Sequence, residues 1–224
     1  MDYYAIIVAG GIGSRMGGDL PKQFIELNSK PILVHTIEKF LRFHPEMQMV
    51  IVIHPGMKNH LDDLLKEYFP SQKFTVVHGG ETRFHSVKNG LSAISSNEGI
   101  VGVHDAARPL VSISTLDKCY STASSKGNAC PVIEISESLR QISNGESTNV
   151  NRDEYLMVQT PQCFELSLLK KAFEQAYSPA FTDDASVLEK WGEKINLVEG
   201  NRENIKITYP GDVSLAEFLL KAHS

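Results

Sequence analysis

The sequence predicts a three-layer α/β/α sandwich on a mostly parallel, Rossmann-like sheet, with a projecting β-hairpin arm, and three observations predict it. Short apolar runs rich in β-branched residues, such as Tyr4-Ala5-Ile6-Ile7-Val8 and Val50-Ile51-Val52-Ile53, lack polar alternation and read as strands buried on both faces. Apolar residues at helical spacing fill the stretches between them. A polar insert around the turn dipeptide Asn144-Gly145 then interrupts this rhythm.

In chain order, Tyr4 to Val8 is a buried strand and runs into the loop Ala9-Gly10-Gly11-Ile12-Gly13-Ser14-Arg15-Met16-Gly17-Gly18, followed by Pro21-Lys22-Gln23. Leu33, Ile37, Phe40 and Leu41 share a helical face, Val50 to Ile53 is a strand, and Leu61, Leu64, Leu65 and Tyr68 mark a second amphipathic helix. Phe74 to Val77 is a strand, Val87, Leu91 and Ile94 lie on a helix, and Ile100 to Val103 is a strand. Residues 134–152 form the arm. A two-stranded hairpin is marginal alone in water, so the arm is expected to lie against a second copy of the chain. Leu166, Leu169, Phe173 and Ala176 then give a helix, Asp183 to Trp191 a shorter one, Asn204 to Thr208 a strand, and Leu215, Phe218 and Leu219 a final helix. One domain over residues 1–224 accounts for the pattern.

The glycine loop leaves the carboxyl end of a strand, where open α/β sheets bind ligands. Glycines let backbone N–H groups approach phosphate oxygens, and Arg15 and Lys22 add charge-assisted hydrogen bonds. Two commoner phosphate loops do not fit: a dinucleotide fingerprint begun at Gly11 and Gly13 has Met16 at its third glycine, and a Walker loop begun at Gly11 meets Met16-Gly17 where Gly-Lys belongs. The glycines alone fit a surface turn equally well. Arg15 and the Pro-Lys-Gln continuation favour a nucleoside triphosphate.

A net charge of −5 in 224 residues excludes a broadly basic nucleic-acid binder. Cys119, Cys130 and Cys163 match neither a metal site nor a disulfide framework, and no apolar run suits a signal peptide or a membrane span, so a cytoplasmic protein with reduced thiols is expected.

Further candidates sit at other element ends. His104-Asp105-Ala106-Ala107-Arg108-Pro109 follows a buried strand; Asp105 suits Mg²⁺ or a substrate hydroxyl and Arg108 a phosphate, while an ion pair closing the strand end fits the same residues. Gly79-Gly80-Glu81-Thr82-Arg83 with His85-Ser86 suits backbone contact with a base or ribose, Thr82 also fitting an N-cap. Thr160-Pro161-Gln162 and Thr182-Asp183-Asp184-Ala185 each precede a predicted helix, and capping is the default for both threonines. Lys206 alternates with Ile205 and Ile207 and so points away from them.

Taken together, the loop with Pro21-Lys22-Gln23, the Asp105 segment, Thr160-Pro161-Gln162, Thr182-Asp183-Asp184-Ala185 and Asn204-Ile205-Lys206-Ile207-Thr208 resemble the 2-C-methyl-D-erythritol 4-phosphate cytidylyltransferases in order and spacing from end to end. The resemblance implies a nucleotidyltransferase-type fold and CTP-dependent synthesis of 4-diphosphocytidyl-2-C-methyl-D-erythritol, with release of pyrophosphate, in non-mevalonate isoprenoid formation. It implies Mg²⁺ as cofactor and catalytic roles for Arg15, Lys22 and Lys206. Gly11, Gly13, Gly80 and Ser86 are implied nucleotide contacts, and Asp105 a metal or substrate ligand. Arg108, Thr160 and Thr182 are implied to line the sugar-phosphate pocket, completed by the partner's Arg152 in an arm-exchanged homodimer. Within the arm the family pattern Pro-Val-x-Asp-Thr is interrupted here by Glu134-Ile135-Ser136-Glu137, which makes Ser138 the counterpart of its threonine.

Ribitol 5-phosphate cytidylyltransferases share the fold and the chemistry. Ala107 and Thr182-Asp183-Asp184-Ala185-Ser186 favour the methylerythritol enzymes, since the ribitol enzymes tend to carry valine and cysteine there. A nucleotide-binding module without turnover is the alternative of another class, and the cations at Arg15, Lys22 and Lys206 argue against it.

Overall fold

The computed structural model describes residues 1–11 and 21–222. The elements are β1 (Tyr3–Ala9), the short strands β2 (Glu26–Leu27) and β3 (Lys30–Pro31), α1 (Ile32–Phe43), β4 (Gln48–Ile53), α2 (Lys58–Tyr68), β5 (Thr75–His78), α3 (Arg83–Ser92) and β6 (Ile100–Asp105). Then come α4 (Ile113–Lys126), β7 (Asn128–Glu134), β8 (Arg140–Ser143), β9 (Glu146–Asn149), β10 (Leu156–Val158), β11 (Gln162–Glu165), α5 (Leu166–Ala172), α6 (Asp184–Trp191), β12 (Leu197–Glu199) and α7 (Pro210–Ala222).

Strands β6, β1, β4 and β5 lie side by side and parallel, with Ile6 opposite Val50 and Val103. β11 runs antiparallel between β6 and β7, β10 pairs antiparallel with β7, and β12 pairs parallel with it. The chain leaves β1 toward β4 on one side, and after β5 it returns to β6 on the other. That reversal opens a crevice at the carboxyl ends of β1 and β6, where Val8 faces Asp105.

The period-2 pattern divides the core. Ala5 and Ile7 of β1 and Met49, Ile51 and Ile53 of β4 face α1, α2 and α4, while Tyr4, Ile6, Val50 and Val52 face α3, α5 and α6. The three layers follow from sealing both faces. Gly102 in β6 lets a helix approach the sheet closely: a Cβ there would meet the Tyr120 Oη at 2.5 Å, and that hydroxyl donates to the Tyr4 carbonyl at 2.8 Å. A third apolar cluster, with Leu27, Ile32, Leu110, Ile207 and Ala216, seats α7 over the β2–β3 hairpin beside the crevice.

Helix α4, β7, β10, β11 and β12 were not anticipated. The signals for α4 are in the sequence: Ser112 accepts from the Thr115 N–H at 3.0 Å, Gly127 ends the helix at φ 85°, and Leu116, Tyr120 and Ala123 are buried. Three expectations are corrected. Asn204 to Thr208 is irregular rather than a strand: the Asn204 backbone carbonyl accepts from the Arg108 side chain, and the Asn204 side-chain amide donates to the Thr160 backbone carbonyl. The helix beginning at Leu166 ends at Ala172, short of Ala176. Thr160-Pro161-Gln162 leads into β11 before any helix begins.

The arm is a hairpin. Asn144 and Gly145 both take positive φ, 51° and 82°, the pair of values a two-residue hairpin turn with right-handed twist requires. Every residue of β8 and β9 is exposed, and Ile142 is 68 % exposed. Tyr155, just before β10, and Leu156, Met157 and Val158 within it are exposed as well.

Candidate active site

A cleft of about 400 Å³ opens over the carboxyl ends of β1 and β6. Ala9, Gly10 and Gly11 form one wall, Gly80 to Arg83 with Ser86 a second, Asp105 to Ala107 the floor, and Lys22, Lys206 and Thr208 the remaining side. Each wall is set by a bond into the scaffold. Gln23 is buried and donates to the Ala9 carbonyl at 2.8 Å, which places the turn bearing Lys22 beside the end of β1. Lys22 Nζ donates to the Ile207 carbonyl at 2.9 Å, and the Ile207 N–H donates to the Ala107 carbonyl at 2.9 Å. These two bonds hold the irregular 204–208 segment against the floor without a sheet.

Asp105 is the electrostatic centre. Lys206 Nζ lies 2.9 Å and Arg108 Nε 3.3 Å from its Oδ2, and Arg83 Nε lies 3.8 Å from its Oδ1. Burial disfavours the carboxylate charge, but Arg83, Lys206 and Arg108 outweigh it and hold the pKa well below the usual carboxylate range. Behind it, the Asp105 N–H donates to Thr160 Oγ1 at 3.1 Å, and that hydroxyl lies 3.0 Å from His104 Nδ1. His104 is fully buried, with Nε2 3.0 Å from the Arg108 carbonyl and its ring edge-on to Phe40; burial pushes its pKa down to about 4. It is a neutral packing residue.

Of the sequence candidates, Gly11, Lys22, Gly80, Ser86, Asp105 and Lys206 come together on the cleft. The Gly80 N–H donates to Ser86 Oγ at 3.1 Å, so these two residues brace one another. Arg15 and Gly13 lie outside the described residues. Arg108 and Thr160 lie beneath the floor: Arg108 Nη1 donates to the Asn204 carbonyl at 2.8 Å, and Thr160 is buried behind Asp105. Thr182 is exposed, is not among the residues that line the cleft, and is not the cap of α6; Asp183 caps it, accepting from the Ser186 N–H at 2.9 Å in a reciprocal box. The cap of α3 is Thr82, as expected. Ser138 and Arg152 are exposed on the arm, away from the cleft walls, and Arg152 donates to the Ser136 carbonyl.

Arg83 and Asp184 were missed as a pair. Arg83 Nη1 and Nη2 fork onto Asp184 at 2.7 and 2.6 Å. Burial works against the Arg83 charge, yet Asp184 and then Asp105 hold its pKa above the ordinary value. Burial likewise raises the Asp184 pKa, and the Arg83 fork opposes that shift. Gln162 completes the link, accepting from the Ala185 N–H at 2.8 Å and donating to Asp183 at 2.7 Å. Nothing in the local pattern pairs residues this far apart; an Arg after a strand-end turn and an acid one residue past a cap were the available signals.

Among the described residues, no three His, Cys, Asp or Glu side chains cluster so as to hold a metal by themselves. Asp105 offers one ionised carboxylate, a donor set that suits Mg²⁺ carried mainly by phosphate oxygens and water.

A family model described as 2-C-methyl-D-erythritol 4-phosphate cytidylyltransferase matches residues 3–222. The chain belongs to that family. A cytidylyltransferase of this name from Phocaeicola vulgatus is 48 % identical over 220 residues, covering 98 % of this chain and 100 % of the relative. One from Geobacillus kaustophilus is 37 % identical over 225 residues, covering 98 % and 97 %. The crystal structure of the Francisella tularensis cytidylyltransferase superposes with a TM-score of 0.81 at 35 % identity, covering 97 % of this chain and 99 % of that one. The sheet with its flanking helices is thus the nucleotidyltransferase fold of this family. No helix among the described residues is long and apolar enough to cross a membrane.

Proposed function

We propose that this chain, acting as one domain over residues 1–224, transfers CMP from CTP to 2-C-methyl-D-erythritol 4-phosphate. The products are 4-diphosphocytidyl-2-C-methyl-D-erythritol and pyrophosphate. The observation that carries the reading is the convergence of Lys22, Lys206 and Asp105 on one cleft at the carboxyl ends of β1 and β6, next to the glycine loop.

An oxygen of the sugar phosphate attacks the α-phosphorus of CTP, a bond to that phosphorus forms, and the bond to the β-phosphate bridging oxygen breaks as pyrophosphate leaves. No protein nucleophile is needed; the residues contribute position and charge. Lys22, with Arg15 from the loop, stabilises the charge that builds on the triphosphate, and Lys206 holds the attacking phosphate while its charge is balanced by Asp105. Gly11, Gly13, Gly80 and Ser86 contact the nucleotide through backbone and hydroxyl groups. Asp105, with the triphosphate, would hold Mg²⁺, which supplies charge neutralisation on the phosphates. Arg108 and Thr160 act from beneath by fixing Asp105 and the Lys206 segment, whereas Thr182 and, through the exchanged arm, the partner's Ser138 meet the sugar phosphate directly.

The arm makes a homodimer. The exposed apolar residues Ile142 on the arm and Leu156, Met157 and Val158 on β10 support this, and the exchange brings the partner's Arg152 to the sugar-phosphate end of the cleft. The enzyme works in the cytoplasm, where its three buried cysteines stay reduced. Pyrophosphate release with CTP, Mg²⁺ and either methylerythritol phosphate or ribitol 5-phosphate tests the reading. Turnover of the former is expected; turnover of the latter alone would reassign the substrate.

A further inference from the structure

Arg83 shares its positive charge between two carboxylates. Both its terminal nitrogens are taken by Asp184, at 2.7 and 2.6 Å, and its Nε faces Oδ1 of Asp105 at 3.8 Å. The Asp184 side chain is 1 % exposed and is not the helix cap, a role Asp183 fills. A buried ion pair stabilises poorly, because desolvation consumes most of the attraction and a packed apolar pair does at least as well. Asp105 supplies another reason for the pair. Its Oδ2 is engaged by Lys206 and Arg108, while among the described residues its Oδ1 accepts no hydrogen bond. A guanidinium released from Asp184 would have Asp105 within reach, and a forked arginine–carboxylate pair occupies both carboxylate oxygens.

We propose that Asp184 is a positioning residue: by holding both terminal nitrogens of Arg83 it keeps the guanidinium fork off Asp105 and leaves Oδ1 of that carboxylate open to the incoming substrates. The inference rests on the cytidylyltransferase reading. It makes a buried acid on α6 a determinant of how the floor of the cleft presents itself, through an arginine on α3.

Asp184→Asn keeps the shape and removes the charge. The expected result is a loss of about 30-fold or more in kcat/KM for the sugar phosphate, with a crystal structure showing Arg83 forked on Asp105. Adding Arg83→Met in that background removes the competitor and is expected to recover about tenfold. A merely structural pair predicts no recovery. The proposal is overturned if Asp184→Asn stays within about threefold of wild type, or if the double variant is no better than the single. Should Asp184→Asn not fold, the pair is replaced whole by Arg83→Met/Asp184→Leu. That variant is expected to fold with kcat/KM within about tenfold of wild type, and a folded protein impaired more than about 100-fold overturns the proposal. Wild-type turnover measured in parallel keeps the two readings apart: if the wild type turns over no sugar phosphate, the cytidylyltransferase reading fails. The position of Arg83 in the Asp184→Asn crystal still decides the tether.

Discussion

Lys206 places its ammonium 2.9 Å from Oδ2 of Asp105, so a segment with no regular secondary structure completes the charge pattern at the end of β6. The pairing balances one charge with another and leaves the Lys206 side chain partly exposed to the cleft. A cation held this way is positioned before the substrates arrive, which is the condition for stabilising charge that develops only during reaction.

Removing that cation should therefore act on kcat. Lys206→Ala and Lys22→Ala are each expected to lower kcat by about 100- to 1,000-fold, a loss of about 3–4 kcal/mol of transition-state stabilisation. Steady-state pyrophosphate release checks this, and circular dichroism should show an unchanged fold. A folded variant with near-normal kcat removes that lysine from the machinery.

The second prediction concerns acid. The His104 pKa is pushed from an ordinary 6.5 to about 4, because burial of the ring outweighs its hydrogen bond to the Arg108 carbonyl. Between those values the unfolded chain takes up a proton that the folded protein refuses, so stability is full above pH 6.5 and falls as pH drops toward 4. Asp105, whose pKa is also depressed, acts with the same sign at lower pH. Urea unfolding at pH 7 and pH 5 should show a loss of about 2 kcal/mol from this histidine. His104→Gln should be less stable at neutral pH but shallower in slope. Equal slopes in the two proteins contradict the assignment.

Close packing at β6 gives a third. In Gly102→Ala the new methyl would stand 2.5 Å from Tyr120 Oη, whose hydrogen bond to Tyr4 ties α4 to the sheet. The expected cost is about 1–3 kcal/mol, read as a lower urea midpoint. Restoring room with Tyr120→Phe should recover part of it.

What was legible in the sequence follows from how local each signal is. Strands β1, β4 and β6 were readable because both faces are buried and the runs are purely apolar. The arm's turn was readable because Asn144-Gly145 suits the positive φ values found there. The Asn204–Thr208 segment misled because alternation of Ile205, Lys206 and Ile207 is also what an irregular chain shows when Gln159, Arg108 and Thr160 bind its polar groups. At the cleft, Lys22 and Asp105 could be named from the loop and the strand end that carry them, since the sheet brings such ends to one edge, whereas Lys206 was named from its alternation with two isoleucines and from the family resemblance. The Arg83–Asp184 fork could not, because it depends on how α3 and α6 pack. Arg108 and Thr160 were named for the pocket wall but lie beneath it, a distinction set by side-chain direction.

The arm yields a fourth prediction through mixing. If the partner's Arg152 completes each cleft, Lys22→Ala and Arg152→Ala homodimers are both impaired. In a mixed dimer one cleft carries both lesions and the other neither. Unfolding and refolding equal amounts together should restore activity at about a quarter of all sites, the share expected for random two-fold pairing. No gain over the separate proteins contradicts the exchange. Replacing residues 140–149 by a short turn should leave a folded chain that sediments as a monomer.

The central claim is that the cleft joins CMP to a sugar-alcohol phosphate rather than merely binding a nucleotide. Phosphorus NMR of the wild type with CTP, Mg²⁺ and 2-C-methyl-D-erythritol 4-phosphate tests it most directly. The account predicts paired diphosphodiester resonances growing in step with pyrophosphate, and their absence in Lys206→Ala. Resonances of CTP that shift on binding but give no diphosphodiester with any sugar phosphate would contradict it.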